Sequence, residues 1–467
     1  VNFKIINMHK SGLLFGEMGM RPVVWSERSG RGWERAGSDV RFYPSEPRPG
    51  LLPEGGAKRG GFQTLSWVHT FEFDEDTVFF AFHYPYTYSF QRRVLSQLMS
   101  HPYSSRFLKR GTLCRTVGGV KCETLEIISP KDAQEAAGEQ AASPSPKEQR
   151  PLAVITSRVH PGESNASWMM HGWLQFLCSA APEAQALRDA CNWLIVPMLN
   201  PDGVIHGNYR CGLAGNDLNR QFLNPHRKLH PTIWHLKERL QGRRVDLYLD
   251  LHGHSKKEGI FLYGCSYAGG DERNAEVRLL PKMCAIGSDD FKLNSCTFST
   301  YESKSSTARI VAFHQMNVMR VYTVEASFSS GGCRPSSEAD PGSEAPFFAS
   351  EQRSAVVDPS AEEEVPSLHE GSRASIENSL ASARRPLSHM HRIARGSYNS
   401  LPDVEGASDS DDGYQPPQAA MSCYFDDYDD YSDESPPPSQ PPARGHEAPE
   451  AAPLVRQIPP GAHPCEA

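Results

Sequence analysis

Two histidines and a glutamate fall where predicted strands end. The predicted strand over Leu152–Ser157 runs into a Pro-Gly turn that carries His160 and Glu163 three residues apart, and a predicted strand over Val245–Leu251 leads directly into His252. Open α/β sheets bind ligands beyond the carboxyl ends of their strands, so we expect these side chains to converge. Two imidazoles and a carboxylate are the protein ligands of a catalytic zinc, with a fourth position left for water. One Zn²⁺ per chain is therefore predicted.

Further polar groups follow other predicted strands. Glu325 ends an apolar strand, where an isolated carboxylate is costly unless it is paired or functional, and we interpret it as a candidate general base. Arg210 could polarise a carbonyl group, and Asn219 with Arg220 could hold a carboxylate, because guanidinium groups bind carboxylates in a bidentate manner. Arg309 adds a cation on the same side. On spacing alone, these arginines are equally compatible with a solvated surface or with salt bridges.

Five motifs together resemble a known family. The sequence is similar to the funnelin-type zinc carboxypeptidases, and within them to the cytosolic carboxypeptidases that shorten glutamate chains on tubulin. The segments that carry this resemblance are Ser157–Trp168, Val196–Val204, Gly215–Arg220, His252–Ser255 and Thr307–Arg309. Phe82–Tyr88 is also similar to the end of an accessory domain found in that subgroup. The resemblance covers about residues 1–330.

The resemblance implies roles for the residues at the strand ends. His160, Glu163 and His252 would be the zinc ligands, and Glu325 would be the general base. Arg210 would polarise the scissile carbonyl group. The implied activity is that of a metallocarboxypeptidase that removes C-terminal glutamate from proteins.

The resemblance also implies how a substrate is recognised. Asn219 and Arg220 would grip the terminal carboxylate, and Arg309 would face the last side chain and favour glutamate. Tyr301 is a weaker match to the mobile tyrosine of the family, because its spacing to Arg309 differs. The implied partners are polyglutamylated or otherwise acidic C-terminal protein tails, tubulin foremost.

The charge of the chain is divided between two regions. Residues 331–467 contain 9 Arg, no Lys and 24 Asp plus Glu, a net charge of −15, and they hold 19 of the 37 Pro. All seven Trp lie at or before Trp234, and the first 330 residues have a net charge of +7. An acidic segment rich in Pro and Ser buries too little apolar surface to fold alone. We therefore predict a basic folded body and a low-complexity tail.

The element pattern predicts three regions. Residues 1–84 alternate short apolar runs with Gly- and Pro-rich turns, which is typical of a small all-β domain. Residues 85–330 alternate strands with helices and predict the catalytic domain, an α/β fold with a mixed twisted sheet flanked by helices, as in zinc carboxypeptidases. Residues 331–467 are predicted to be disordered. The stretch 133–151, rich in Ala, Glu, Ser and Pro, is predicted to be a surface loop.

Composition excludes several classes of protein. No run of 18 apolar residues occurs, so no membrane-spanning segment is predicted. The eleven Cys include no C-x-x-C pair, which favours a reduced, cytoplasmic setting over a disulfide scaffold. The family resemblance also implies association with microtubules or cilia. No nucleic-acid recognition module is apparent. The sequence opens on Val1, so we expect the natural chain to begin earlier.

Two alternative functions remain open at this point. A zinc amidohydrolase acting on small acylated amino acids would share the ligand pattern. A non-catalytic protein that binds acidic tails is the second alternative, because Ser329–Gly332 leads directly into low-complexity sequence where the family continues with a C-terminal helix.

Overall fold

The computed structural model describes residues 1–8, 15, 20–46, 62–128 and 150–329. The predicted tail over 331–467 lies outside these residues, as does all but the last two positions of the predicted loop over 133–151. The described part of the chain contains no helix that is both long and apolar enough to cross a membrane.

The N-terminal region forms two small antiparallel sheets. The strand order is β1-β5-β4 in one sheet and β3-β2-β6 in the other. Trp67 and Phe328 belong to one buried apolar cluster, so this region packs on the strand that leads to the end of the described chain. The strands are β1 Asn2–Met8, β2 Val23–Ser26, β3 Glu34–Arg35, β4 Ser38–Pro44, β5 Gln63–Val68 and β6 Val78–Ala81.

A seven-stranded mixed sheet forms the centre of the described chain. Its strand order is β12-β13-β11-β9-β10-β8-β7, and the four strands β13, β11, β9 and β10 are parallel. Their carboxyl ends therefore meet at one edge. The strands are β7 Leu108–Arg115, β8 Lys121–Ile127, β9 Leu152–Ser157, β10 Asn192–Val196, β11 Val245–His254, β12 Ile260–Tyr263 and β13 Val321–Ser327.

Helices cover both faces of this sheet. Along β9, Ala153 and Ile155 pack into one buried cluster and Leu152 and Val154 into the other, because successive side chains of a strand point to opposite faces. The helices are α1 Tyr88–Ser100, α2 Ser164–Leu177, α3 Pro182–Ala190, α4 Pro201–Ile205, α5 Pro231–Leu240, α6 Arg273–Gly287 and α7 Ala308–Gln315. The predicted α/β fold with a mixed sheet between helices is confirmed.

Some elements were not evident from the sequence. The hairpin β7–β8 and the helices α3, α6 and α7 are absent from the predicted pattern. Helix α6 shows why: Leu279, Met283 and Ile286 are exposed, and Pro281 lies inside the helix. Val277 and Pro281 are its buried residues, so apolar side chains occur on both faces and a proline lies within the helix. Neither feature gives the usual amphipathic helix signal.

Candidate metal centre and active site

The side chains of His160, Glu163 and His252 converge at the carboxyl edge of the sheet. One ligand atom from each lies within 4.8 Å of the others, and all three residues are buried. His160 Nδ1 lies 2.9 Å from Glu163 Oε1, and His252 Nδ1 lies 3.2 Å from Glu163 Oε2. The two Nδ1 atoms are 3.2 Å apart. The turn after β9 and the end of β11 thus bring together the three residues that the sequence singled out.

The local backbone explains this convergence. Glu163 is the residue that precedes α2, so the turn that follows β9 places its carboxylate at the start of that helix. The N–H of Gly253 donates to Glu163 Oε2 at 2.9 Å. A Cβ atom at Gly253 would lie 2.1 Å from Asn165 Oδ1, so only glycine fits between the two histidines of the His-Gly-His segment.

A carboxylate lies beside the outer nitrogen of each imidazole. His160 Nε2 is 3.1 Å from Asp217 Oδ1, and His252 Nε2 is 2.8 Å from Asp250 Oδ2. An ionised carboxylate only accepts hydrogen bonds, so each Nε2 carries a hydrogen. This leaves Nδ1 of each imidazole as the atom that can face a metal ion once the ring is neutral. The hydroxyl of Thr156 donates to the other oxygen of Asp250 at 2.6 Å.

The charges of these groups depend on one another. Burial alone would raise the pKa values of Glu163 and Asp217, but neighbouring histidines, and Arg210 beside Asp217, hold both well below their usual range. Burial alone would lower the pKa of His252, but the carboxylates of Asp250 and Glu163 raise it well above its usual value. Glu163 and Asp217 therefore stay ionised, and a bound cation could replace the proton on His252 as the positive charge beside Glu163.

Glu325 lies beside this centre on β13. Its side chain is 4% exposed, and within the described part of the chain its Oε2 has no hydrogen-bond partner. Burial raises the pKa of Glu325 to about 7, against the opposing effect of His252. A carboxyl group with a pKa near neutrality can both accept and donate a proton under physiological conditions.

The arginines are held by Asp217. Arg210 Nη2 lies 2.6 Å from Asp217 Oδ2, and Arg220 Nη1 lies 3.8 Å from the same atom. One buried carboxylate therefore touches His160 and sits within ion-pair distance of two cations. Asn219 Oδ1 accepts from the N–H of Ala308 at 3.0 Å, which attaches the start of α7 to this group.

Arg309 lies in the first turn of α7 and is 8% exposed. Its guanidinium donates to the carbonyl oxygen of Gly264 and to Cys265 Sγ, the latter at 3.5 Å. Tyr301 is 60% exposed and is followed directly by a short 3₁₀ turn over Glu302–Lys304.

Two residues of the centre received no role from the sequence. Asp217 was part of a recognised segment, and Asp250 was part of a predicted strand. For Asp250 a signal exists, because residues two apart on a strand share a face and Asp250 precedes His252 by two. For Asp217 no local signal exists, because its contact with His160 spans 57 residues.

The donor set fits zinc. Two imidazole nitrogens and a carboxylate are ligands that Zn²⁺ prefers, and outer carboxylates that orient the imidazoles are usual at such sites. His160, Glu163 and His252 are thus the residues that would hold the ion.

Comparisons with known proteins agree with this geometry. The zinc carboxypeptidase family model matches residues 97–327. Cytosolic carboxypeptidase 1 of Danio rerio is 38% identical in an alignment 353 residues long, which covers 71% of this chain and 30% of that protein. Cytosolic carboxypeptidase 4 of Mus musculus is 41% identical over 71% of this chain and 31% of that protein. Cytosolic carboxypeptidase 2 of Homo sapiens is 39% identical over 70% of this chain and 35% of that protein. The chain thus spans about a third of the length of these relatives.

Solved structures share the fold. A metallo-carboxypeptidase from Burkholderia cenocepacia superposes with a TM-score of 0.54 at 22% identity, covering 72% of this chain and 78% of its own. A metallo-carboxypeptidase from Pseudomonas aeruginosa superposes with a TM-score of 0.51 at 21% identity, covering 72% of this chain and 82% of its own. At this level of identity the likeness concerns the fold. The family match shows that residues 97–327 of this chain form a domain of the zinc carboxypeptidase family.

Proposed function

We propose that this protein is a zinc metallocarboxypeptidase that removes C-terminal glutamate from proteins. The observation that carries the proposal is the convergence of His160, Glu163 and His252 beside Glu325, whose Oε2 has no hydrogen-bond partner among the described residues. Hydrolysis of an amide bond by a metallopeptidase requires a metal site and a general base beside it. The three converging side chains and a carboxyl group with a pKa of about 7 could supply both.

One zinc ion would be held by His160, Glu163 and His252. When bound, zinc lowers the pKa of water and polarises a substrate carbonyl group. Glu325 accepts the proton that the attacking water loses, and it returns this proton to the amine that leaves. Its burial supports this role, because the raised pKa allows transfer in both directions near neutral pH.

The cations around Asp217 support a role in binding the substrate. Arg210 would stabilise negative charge that develops on the scissile carbonyl oxygen, an electrostatic contribution often worth several kcal/mol. Asn219 and Arg220 would hold the terminal carboxylate. Asp217 orients these groups, because both arginines lie within ion-pair distance of the same carboxylate.

Arg309 would select an acidic last residue. Its guanidinium is almost fully buried, so a carboxylate that reaches it forms a charge-assisted hydrogen bond away from water. The net charge of +7 on residues 1–330 supports the same substrate class, because it attracts polyanionic tails. Polyglutamylated tubulin is our proposed substrate. A cytoplasmic location agrees with the names of the relatives, and microtubules or cilia are the sites where such a substrate would be met.

Mass spectrometry of polyglutamylated tubulin before and after incubation tests the proposal. We expect successive loss of single glutamate residues, and no loss with the Glu325→Gln variant. Hydrolysis of N-acyl amino acids without any change in tubulin would favour the amidohydrolase alternative. Stoichiometric zinc and binding of acidic tails without turnover would favour the non-catalytic alternative.

A further inference from the structure

Arg158 adopts a backbone conformation that L residues avoid. Its φ is +58°, at the turn between β9 and the metal-binding segment. The described residues include three other non-glycine positions with positive φ, Asp39, Glu75 and Asn317, and all three are exposed. Arg158 is 5% exposed. Strain at a buried position persists only where surrounding contacts impose it, and such positions cluster at functional sites.

The guanidinium of Arg158 connects three separate segments. Its Nε donates to the carbonyl oxygen of Pro161 at 2.8 Å, which closes the turn that carries the candidate ligands. Its Nη1 donates to Ser167 Oγ at 2.8 Å, in α2, and to the carbonyl oxygen of Tyr86 at 3.2 Å, in the segment before α1. A planar, rigid fork of donors can hold three acceptors in fixed relative positions.

These contacts are made without an ion pair. In the described part of the chain, no carboxylate lies within salt-bridge distance of Arg158. Its recorded acceptors are two backbone carbonyl oxygens and one hydroxyl. The carboxylate of Glu163 favours the charged form of Arg158 without an ion pair, but it does not offset the effect of burial. Keeping this cation buried is therefore costly, and its three hydrogen bonds are contacts that an apolar residue at this position could not make.

We infer that Arg158 is a positioning residue for the metal centre. By bridging the turn at Pro161 and the first turn of α2 at Ser167, it fixes His160 and Glu163 relative to each other, because Glu163 directly precedes that helix. The affinity for zinc then depends on the hydrogen bonds from Arg158 to Pro161 and Ser167, although Arg158 contacts neither the metal nor the substrate. The inference rests on the proposed function, since it requires that His160 and Glu163 bind zinc.

The test measures zinc affinity and thermal stability separately in matched variants of the full chain. Arg158→Lys keeps the charge but loses the fork, and Arg158→Gly relieves the positive φ while removing all three hydrogen bonds. Arg188→Lys is the control, because Arg188 is a fully buried arginine that donates to the carbonyl oxygens of Leu177 and Ser179 and contacts none of the candidate ligands. Dissociation constants are obtained by competition with a chelator.

We expect Arg158→Lys and Arg158→Gly to bind zinc about 10- to 100-fold more weakly than the parent, with Arg188→Lys within about threefold of it. In Arg158→Gly, relief of the backbone strain offsets part of the stability lost with the three hydrogen bonds, whereas nothing offsets the loss in zinc affinity. Zinc affinity should therefore fall more than thermal stability does. If Arg158 were purely structural, the two quantities would fall together. If neither Arg158 variant folds, Ser167→Ala, which removes one acceptor, should still weaken zinc binding.

Three results would overturn the inference. One is a parent-like zinc affinity in every Arg158 variant that folds or, if none folds, in Ser167→Ala. Another is an equal loss in Arg188→Lys, which would show that any loosening of the domain weakens the site. The third is a parent protein that binds no zinc, and this result alone would also refute the proposed function.

Discussion

His252 and Glu325 occupy paired positions on the adjacent parallel strands β11 and β13. Neighbouring residues in a parallel pair point to the same side of the sheet, so a candidate metal ligand and a buried carboxyl group lie side by side at the carboxyl edge. Glu325 is not one of the three converging ligands. The register of the two strands thus places the group that would bind the metal next to the group that would transfer the proton.

Zinc content should depend on the candidate ligands. We expect one zinc per chain in the parent and less than about a tenth of an equivalent in His160→Ala, because loss of one of three ligands leaves the site incomplete. Metal analysis of the purified protein measures this. His230→Ala is the matched control, since His230 is equally buried (5% exposed) and lies outside the centre. Equal zinc in His160→Ala and the parent would contradict the assignment.

Glu325→Gln should retain zinc but lose turnover. The amide has nearly the shape of the carboxylate but cannot accept a proton, and loss of a general base costs about 10²- to 10⁴-fold in rate. Steady-state kinetics on a glutamate-ended peptide, with zinc content measured in parallel, gives the answer. Activity within a few-fold of the parent would mean that another group is the base.

Arg309→Gln should change specificity more than overall activity. A charge-assisted contact to a carboxylate is worth about 1.5–3 kcal/mol, so kcat/KM on glutamate-ended peptides should fall about 10- to 100-fold. Peptides with a neutral last residue should be affected much less. Arg320→Gln serves as a control, because Arg320 forms a surface ion pair with Glu276. Equal losses on both peptide types would identify Arg309 as structural.

Asp250→Asn should weaken zinc binding through His252. An amide can present its N–H₂ group to Nε2 of the imidazole and so favour the tautomer whose Nδ1 carries the hydrogen. Replacement of such an outer partner typically costs about 10- to 100-fold in metal affinity or activity. Chelator competition measures the loss, and an unchanged affinity would show that the Asp250 contact does not fix the tautomer.

Zinc binding at pH 7 should release protons. His252, whose pKa is raised well above its usual value, must lose a proton to become a ligand. Burial raises the pKa of Glu325 to about 7, so part of this group is protonated before binding, and a nearby dication favours its ionised form. Both effects have the same sign, so zinc affinity should rise with pH. Calorimetry in buffers of different ionisation enthalpy should show fewer protons released by Glu325→Gln than by the parent, and an equal release would exclude a contribution from Glu325.

The ligand types and the strands that deliver them could be predicted from the sequence. A buried strand followed by His160 and Glu163, and a second strand followed by His252, are local patterns, and local patterns survive in a linear sequence. The same holds for the alternation of strands with helices, which predicted the class of fold. The boundaries of the three predicted regions stay a prediction, as do the individual roles of the arginines.

The surroundings of those residues depend on contacts between distant parts of the chain. Asp217 contacts His160, 57 residues away in the sequence, and Arg158 contacts Tyr86, 72 residues away. Local sequence patterns do not predict contacts at such separations. The left-handed backbone of Arg158 is equally invisible, because arginine has no preference for it. The raised pKa of Glu325 follows from burial among other strands. Ligand identity is a property of side-chain type, whereas charge, tautomer and position depend on neighbours that folding alone brings together.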